Sequence, residues 1–298
     1  MLNLPNLQQN VPLAPLTTYK IGGPAEWFVE VHSAGELAAA VIEARRTEMP
    51  YFILGTGANI LVSDAGIRGL TIHNLAQQTS IVDNFLTAES GATIADLINL
   101  TSEQDLSGLE HFAGIPSSVG GAIWQNLHFL APDRQSTAYI GDILERATVL
   151  NEKSERVVVD REYFKFGYDD SLLHHQPVTV LDATFQLTPK PRAQIEHQIQ
   201  ENLTWRRAKQ PQLEDVPSCG SVFKKIEGVG AGRLIDKAGL KGTTVGGIQV
   251  SELNANYLIN VNNGTAQDVK QLIELIQKTV REHSGYELET EVGFVGEW

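Results

Sequence analysis

Apolar and polar residues alternate along this chain with two different periods, so short strands and amphipathic helices are interleaved through most of its length. The runs Tyr51–Leu54 and Ile60–Val62 predict two short strands, separated by the glycine-rich Gly55-Thr56-Gly57-Ala58-Asn59. Ala34–Arg46 spaces its leucine, valine and isoleucine at near-helical intervals, and residues 92–103 do likewise, so each predicts a helix. Residues 178–187 are rich in β-branched side chains and predict a strand. Thr188-Pro189-Lys190-Pro191 follows, and its prolines fit neither a central strand nor a helix interior. The main domain boundary is expected there, dividing residues 1–190 from 191–298. A polar amphipathic helix over Arg192–Lys209 opens the second part.

Towards the end, residues 257–261 predict a strand and Asn262-Asn263-Gly264 a turn. Thr265-Ala266-Gln267-Asp268 has the form of a capping box. Val269, Leu272, Ile273, Ile276 and Val280 then share one helical face, and Gly285 stops the helix. Residues 287–294 alternate as a strand does. There is no internal repeat and no low-complexity tract.

A length of 298 residues suggests two domains, and 42% hydrophobic with 20% charged residues is ordinary for a globular protein with a sizeable core. The net charge of −13 argues against a general affinity for nucleic acid or anionic lipid. It leaves room for an anionic small molecule held by a few converging cations. Cys219 is the only cysteine, so neither an intramolecular disulfide nor a cysteine metal cluster can form. His174 and His175 are adjacent, would point opposite ways in an extended chain, and make a poor metal pair. No metal is expected. The start of the chain lacks the pattern of a signal peptide, and there is no apolar run of about 18 residues. A cytoplasmic monomer, with no membrane or nucleic-acid partner, is the expectation.

Four segments hold candidate chemistry. Gly55-Thr56-Gly57-Ala58-Asn59 lies between two strands, where successive amides can cradle a phosphate or simply turn the chain. A Rossmann fingerprint is excluded, because the glycine spacing is wrong and a strand follows. Gly114-Ile115-Pro116-Ser117-Ser118-Val119-Gly120-Gly121-Ala122 is a stiff loop suited to lie flat against a planar or phosphorylated ligand, or to serve as structure alone. Cys219-Gly220-Ser221-Val222-Phe223-Lys224-Lys225 sets a hydroxyl beside two cations that can stabilise its alkoxide, although solvated lysines on a strand look the same in sequence. Cys219 reads as a small buried hydrophobe. Leu288-Glu289-Thr290-Glu291-Val292 puts two carboxylates on one face of a strand, either into a site or into solvent.

Taken in order, these segments resemble the UDP-N-acetylenolpyruvoylglucosamine reductase (MurB) family. The resemblance runs through Tyr19-Lys20-Ile21-Gly22-Gly23, the segment from Leu54 to Leu61, the Gly114 loop, Phe166-Gly167-Tyr168, Gly220 to Lys224, Ala238 to Gly242, and Leu288 to Val292. It implies an α+β protein: a two-lobed FAD-binding module of the vanillyl-alcohol oxidase (PCMH) type, then a smaller α+β substrate-binding domain. Gly55, Thr56, Gly57, Ala58 and Asn59, with Gly114, Ile115, Pro116, Ser117, Ser118, Gly120 and Gly121, would hold FAD. The flavin would be non-covalent, since neither loop carries a His or Cys to tether it.

The implied reaction is reduction of a sugar-nucleotide enolpyruvyl ether by NADPH through FAD. Ser221 would donate the proton that completes it. Glu291 would meet the carboxylate side of the intermediate, holding its own proton beside that anion. Lys209, Lys224 and Asn254 would contact the substrate. Two departures stand out. The family's Phe-Gly-Tyr-Arg-x-Ser reads Phe166-Gly167-Tyr168-Asp169-Asp170-Ser171, which reverses the charge of an arginine that would face the substrate carboxylate. Lys165, Lys224 and Arg233 are candidate replacements. The family's small-residue Asn-Ala-Gly-Ala-Tyr pattern gives way to the segment Trp124 to Leu130, in which His128 either compensates the charge or is structural. Another FAD oxidoreductase of this fold, or a non-catalytic flavin or UDP-sugar binder, are the alternatives.

Overall fold

In the computed structural model, which describes residues 2–130 and 135–298, helix α1 spans Ala34–Arg46 as its apolar spacing predicts. The Ser33 side chain caps it by accepting from the Glu36 amide, Glu36 sits in the first turn, and Arg45 and Arg46 sit in the last. Both placements suit the helix dipole. Helix α2 (Ile94–Glu103) begins later than the apolar pattern alone suggests, because Thr93 is its cap and accepts from the Asp96 amide at 3.1 Å.

Backbone packing divides the chain into two compact units, each assembled from separate segments. The first comprises the residues up to Leu7, Val29–Thr56 and Ile72–Trp205; the second comprises Gln8–Phe28, Gly57–Thr71 and Arg206–Trp298.

The first unit is built on a five-stranded antiparallel sheet in the order Arg156–Asp160, Leu144–Leu150, Thr179–Gln186, Phe85–Glu89, Thr79–Val82. Its central strand is buried along most of its length, as its β-branched run requires. Helices α1 and α3 (Val119–Gln125) pack on that strand. Leu86, Leu97, Phe112, Ile123, Phe164 and Phe185 fill the core. Helix α4 (Arg192–Lys209) starts just after Pro191, and the unit ends within it at Trp205.

The second unit has a four-stranded antiparallel sheet in the order Ser218–Ser221, Tyr257–Asn260, Ile248–Val250, Thr244–Val245. Helices α5 (Ala231–Lys237) and α6 (Ala266–Ser284) complete it. The capping box forms: Thr265 Oγ1 accepts from the Asp268 amide and Asp268 accepts from the Thr265 amide. Asp64 adds a second carboxylate at that helix start, accepting from the Ala266 and Gln267 amides at 2.9 and 3.0 Å. Val269, Leu272, Ile273, Ile276 and Val280 are all buried, each contributing about 1.5–3 kcal/mol before entropy. Gly285 ends the helix in the left-handed conformation.

Residues 287–294 do not form the expected continuous strand. Thr290 makes an isolated bridge to Phe223, and only Gly293–Val295 is a strand, parallel to Ile60–Val62. A two-residue periodicity marks extended backbone, and a strand also needs a continuous partner. His174 and His175 also depart from the extended geometry: a 3-10 turn over Leu172–His174 brings both rings towards Asp170.

Candidate active site

Within the first unit, the two glycine-rich loops meet. Thr56 Oγ1 donates to the Pro116 carbonyl at 3.1 Å. A Cβ on Gly55 would lie 2.5 Å from Ser118 Oγ, so any larger residue would force that hydroxyl to move. Ser118 in turn caps α3, accepting from the Gly121 amide at 3.3 Å. Backbone bonds lock the loop to residues 90–94: Ile94 N to Ser117 O, Val119 N to Ala92 O, and Gly120 N to Ser90 O at 2.7 Å. The outcome is a rigid surface of backbone, glycine and small hydroxyls (Thr56, Ser117, Ser118). Such a surface fits the diphosphate of a flavin dinucleotide, whose oxygens need close donors and little bulk.

The rest of the first loop belongs to the second unit. The Gly57 carbonyl accepts from the Thr18 amide at 3.1 Å, while Thr18 Oγ1 donates to the Ser218 carbonyl at 2.8 Å. Asn59 Nδ2 reaches the Glu291 carbonyl at 3.4 Å. The arm motif Tyr19-Lys20-Ile21 thereby gains a purpose: Tyr19 and Ile21 are core residues of this unit.

Ser221 and Glu291 come together in the second unit. Phe223 bridges Thr290, the Glu291 amide donates to the Val222 carbonyl at 2.8 Å, and the Lys224 amide donates to the Glu289 carbonyl at 2.9 Å. A bulge aims Ser221. Ser218 pairs with Ile259 but Ser221 pairs with Tyr257, so one extra residue is absorbed, and Gly220 takes φ +82° to do it. Without that residue Ser221 would face the opposite side of the strand. Lys224 Nζ pairs with Glu289 at 3.0 Å on the exposed flank. Asn254 Nδ2 donates to the Lys209 carbonyl at 3.3 Å, which joins two predicted substrate residues through backbone.

Cys219 is buried, and burial pushes its thiol up to about 12, so it is inert as the sequence suggests. Two further residues were not singled out from the sequence, Tyr257 opposite Ser221 and Arg206 near Tyr257. Tyr257, 5% exposed, faces Ser221 across the strand pair, with the Ser221 hydroxyl in hydrogen-bonding reach of its phenol oxygen. Arg206 lies near that phenol; its Nε is enclosed, and burial lowers the guanidinium's pKa while the phenol opposes this. Arg206 sits in a helix turn with Arg207 and Lys209, where only burial distinguishes it.

The departures of the first unit prove to be coupled. Asp169, with a side chain only 2% exposed, holds φ +51° and faces His128, whose Nδ1 is 3.5 Å from its carboxylate. Tyr139 and Tyr168 flank the imidazole at 5.5 and 4.7 Å between centroids. The carboxylate that replaces the arginine is therefore buried against an imidazole inside the fold, an ion pair whenever His128 is protonated. Lys165 and Arg233 are both exposed.

An antiparallel core with paired glycine loops, joined to a second α+β unit that assembles a serine, a glutamate and cations, defines a flavoprotein oxidoreductase with the PCMH-type FAD module and a separate substrate domain. Comparison agrees at each end: residues 25–160 match the family described as FAD binding domain. Residues 210–295 match that described as UDP-N-acetylenolpyruvoylglucosamine reductase, C-terminal domain. Proteins named UDP-N-acetylenolpyruvoylglucosamine reductase resemble the chain over nearly its whole length. That of Listeria monocytogenes serotype 4a is 39% identical over 98% of this chain and 95% of its own. That of Synechococcus sp. (strain JA-3-3Ab) is 38% identical over 97% and 91%. The crystal structure of the MurB enzyme from Thermus caldophilus superposes with a TM-score of 0.80 at 31% identity, covering 97% of this chain and 99% of that one. The chain belongs to the UDP-N-acetylenolpyruvoylglucosamine reductase family and is an FAD enzyme.

Proposed function

We propose that this enzyme reduces UDP-N-acetylglucosamine enolpyruvate to UDP-N-acetylmuramate, a step in peptidoglycan precursor synthesis, with NADPH as reductant. FAD, held by the Gly55 and Gly114 loops, would supply the redox chemistry between NADPH and the enolpyruvyl alkene. The protein's own residues handle charge and proton. Hydride addition sends an electron pair into the substrate carboxylate, and that developing charge needs a fixed cation. Arg206 is the cation we assign, since its Nε is enclosed and it lies near Tyr257, which faces Ser221. Glu291 meets the carboxylate side, and Ser221 protonates the neighbouring carbon. Lys209, Lys224 and Asn254 contact the sugar nucleotide.

Gly55 to Asn59 and Gly114 to Gly121 hold the flavin without a covalent bond. Residues 1–190 form the flavin module and 191–298 the substrate part. The protein acts as a cytoplasmic monomer; no helix among the described residues is long and apolar enough to cross a membrane. The observation that supports this reading most is the meeting of Ser221 with the Glu291 segment through Val222 and Phe223, distant in sequence and adjacent in the fold. The Asp169 side chain, buried beside His128, leaves no exposed carboxylate there to repel an anionic substrate. Ser221→Ala is the test: flavin reduction by NADPH proceeds as in wild type, while reoxidation by the enolpyruvyl substrate stops. Equal slowing of both half-reactions contradicts the role.

A further inference from the structure

We infer that Tyr257 is a positioning residue for the proton donor: its phenol orients the Ser221 hydroxyl and replaces the proton that Ser221 gives up. The inference rests on the proposed role of Ser221 and extends it by one group. Register carries it. Ser221 and Tyr257 are directly opposed in an antiparallel pair, where opposed side chains share a face with Cβ atoms about 4.5–5.5 Å apart. The bulge at Gly220 creates this opposition, because the pairing at Ser218 would otherwise continue out of phase. Tyr257 is buried as a residue, so Ser221 is one of the few groups placed to hydrogen-bond its phenol.

The surroundings suit proton transfer rather than packing alone. Burial raises the phenol pKa, and the charges of Glu291 and Cys219 act in the same direction; Arg206 and the Ser221 hydroxyl act against it. A phenol in that setting is protonated at neutral pH, yet has a guanidinium beside it to hold a transient negative charge. A bare serine is a weak acid, and its alkoxide must be quenched quickly for the forward step to persist. The step balances as follows. The Ser221 O–H bond breaks as a C–H bond forms at the substrate carbon next to the carboxylate. In the same transition state the serine oxygen takes the Tyr257 proton, so the two protons move together; Arg206 holds the phenolate, and water restores the phenol.

Tyr257→Phe in the holoenzyme tests this, since it deletes one oxygen and keeps the ring that fills the core. Under anaerobic stopped flow, flavin reduction by NADPH is expected at the wild-type rate. Reoxidation by the enolpyruvyl substrate is expected to slow roughly 10- to 100-fold, at or just below the lower end of what a positioned proton carrier contributes. A proton inventory in mixed H2O and D2O adds a readout that packing cannot move: curved for wild type, with two protons in flight, and linear for Tyr257→Phe. Independently, ultraviolet titration of the phenol, isolated by subtracting the Tyr257→Phe spectrum, should shift to higher pH in Ser221→Ala. If Ser221→Ala itself reoxidises normally, the reading of Ser221 fails. If Ser221→Ala stalls while Tyr257→Phe reoxidises at the wild-type rate with an unchanged inventory, only the inference about Tyr257 is overturned. An unshifted titration in Ser221→Ala also overturns it, by showing that the two hydroxyls do not interact.

Discussion

Gly55→Ala isolates the contact that brings the two glycine-rich loops together. The added Cβ would meet Ser118 Oγ at 2.5 Å, well inside van der Waals contact, whereas Ser118 Cβ would lie at an ordinary 3.5 Å. The cheapest relief is rotation of the serine hydroxyl, but that hydroxyl caps α3 by accepting from Gly121. Loss of a serine cap costs about 1 kcal/mol. Gly55→Ala should therefore destabilise by about 1 kcal/mol, and Ser118→Ala should do the same directly. In the double variant the clash is gone and the cap is lost only once, so the total stays near 1 kcal/mol instead of the additive 2 kcal/mol. Urea unfolding of flavin-free protein measures this without the stabilisation that bound flavin adds by mass action. Full additivity would refute the reasoning, because it would mean that alanine at position 55 acts through something other than Ser118.

Tyr19 has a fully buried hydroxyl with no hydrogen-bond partner among the described residues, so Tyr19→Phe should raise stability by about 1 kcal/mol in the same assay. His128→Ala strands the buried Asp169 carboxylate and should cost about 3–5 kcal/mol, most of it recovered by adding Asp169→Asn. For the same reason Asp169→Arg, which a simple shortage of positive charge would favour, is expected to lower both stability and turnover. Glu110 is buried, which works to raise its pKa, but donation from the Gly108 amide and the Ser107 hydroxyl, with His111 nearby, holds it below the usual carboxylate value. Its contribution is therefore present above the unfolded-state carboxylate pKa and disappears as pH falls through the lower folded value. Glu110→Gln should flatten the acid limb of a stability–pH curve between those two values; an unchanged limb would contradict this.

Local signals in the sequence reached the elements whose causes are local. Ala34–Arg46 and Arg192–Lys209 form over the residues that periodicity and proline punctuation indicate, and the Thr265 capping box closes as written. Residues 287–294 misled because alternation reports extended backbone but not a partner strand. Tyr257 was visible only as one more strand residue, since what gives it meaning is a cross-strand register fixed by a bulge 37 positions earlier at Gly220. Arg206 looks like its neighbours Arg207 and Lys209 until burial separates it. Asp169 and His128 each departed from the family pattern separately. A new carboxylate and a new imidazole within one unit are a signal that the two changes belong together, and only proximity in the fold makes the pairing explicit.

The most direct measurement is a colour titration under argon. Purified protein should be yellow, should bleach with one equivalent of NADPH, and should recover its absorbance with one equivalent of UDP-N-acetylglucosamine enolpyruvate, yielding UDP-N-acetylmuramate. A preparation that binds no flavin on reconstitution, or one that bleaches but stays bleached when the enolpyruvyl substrate is added, contradicts the account.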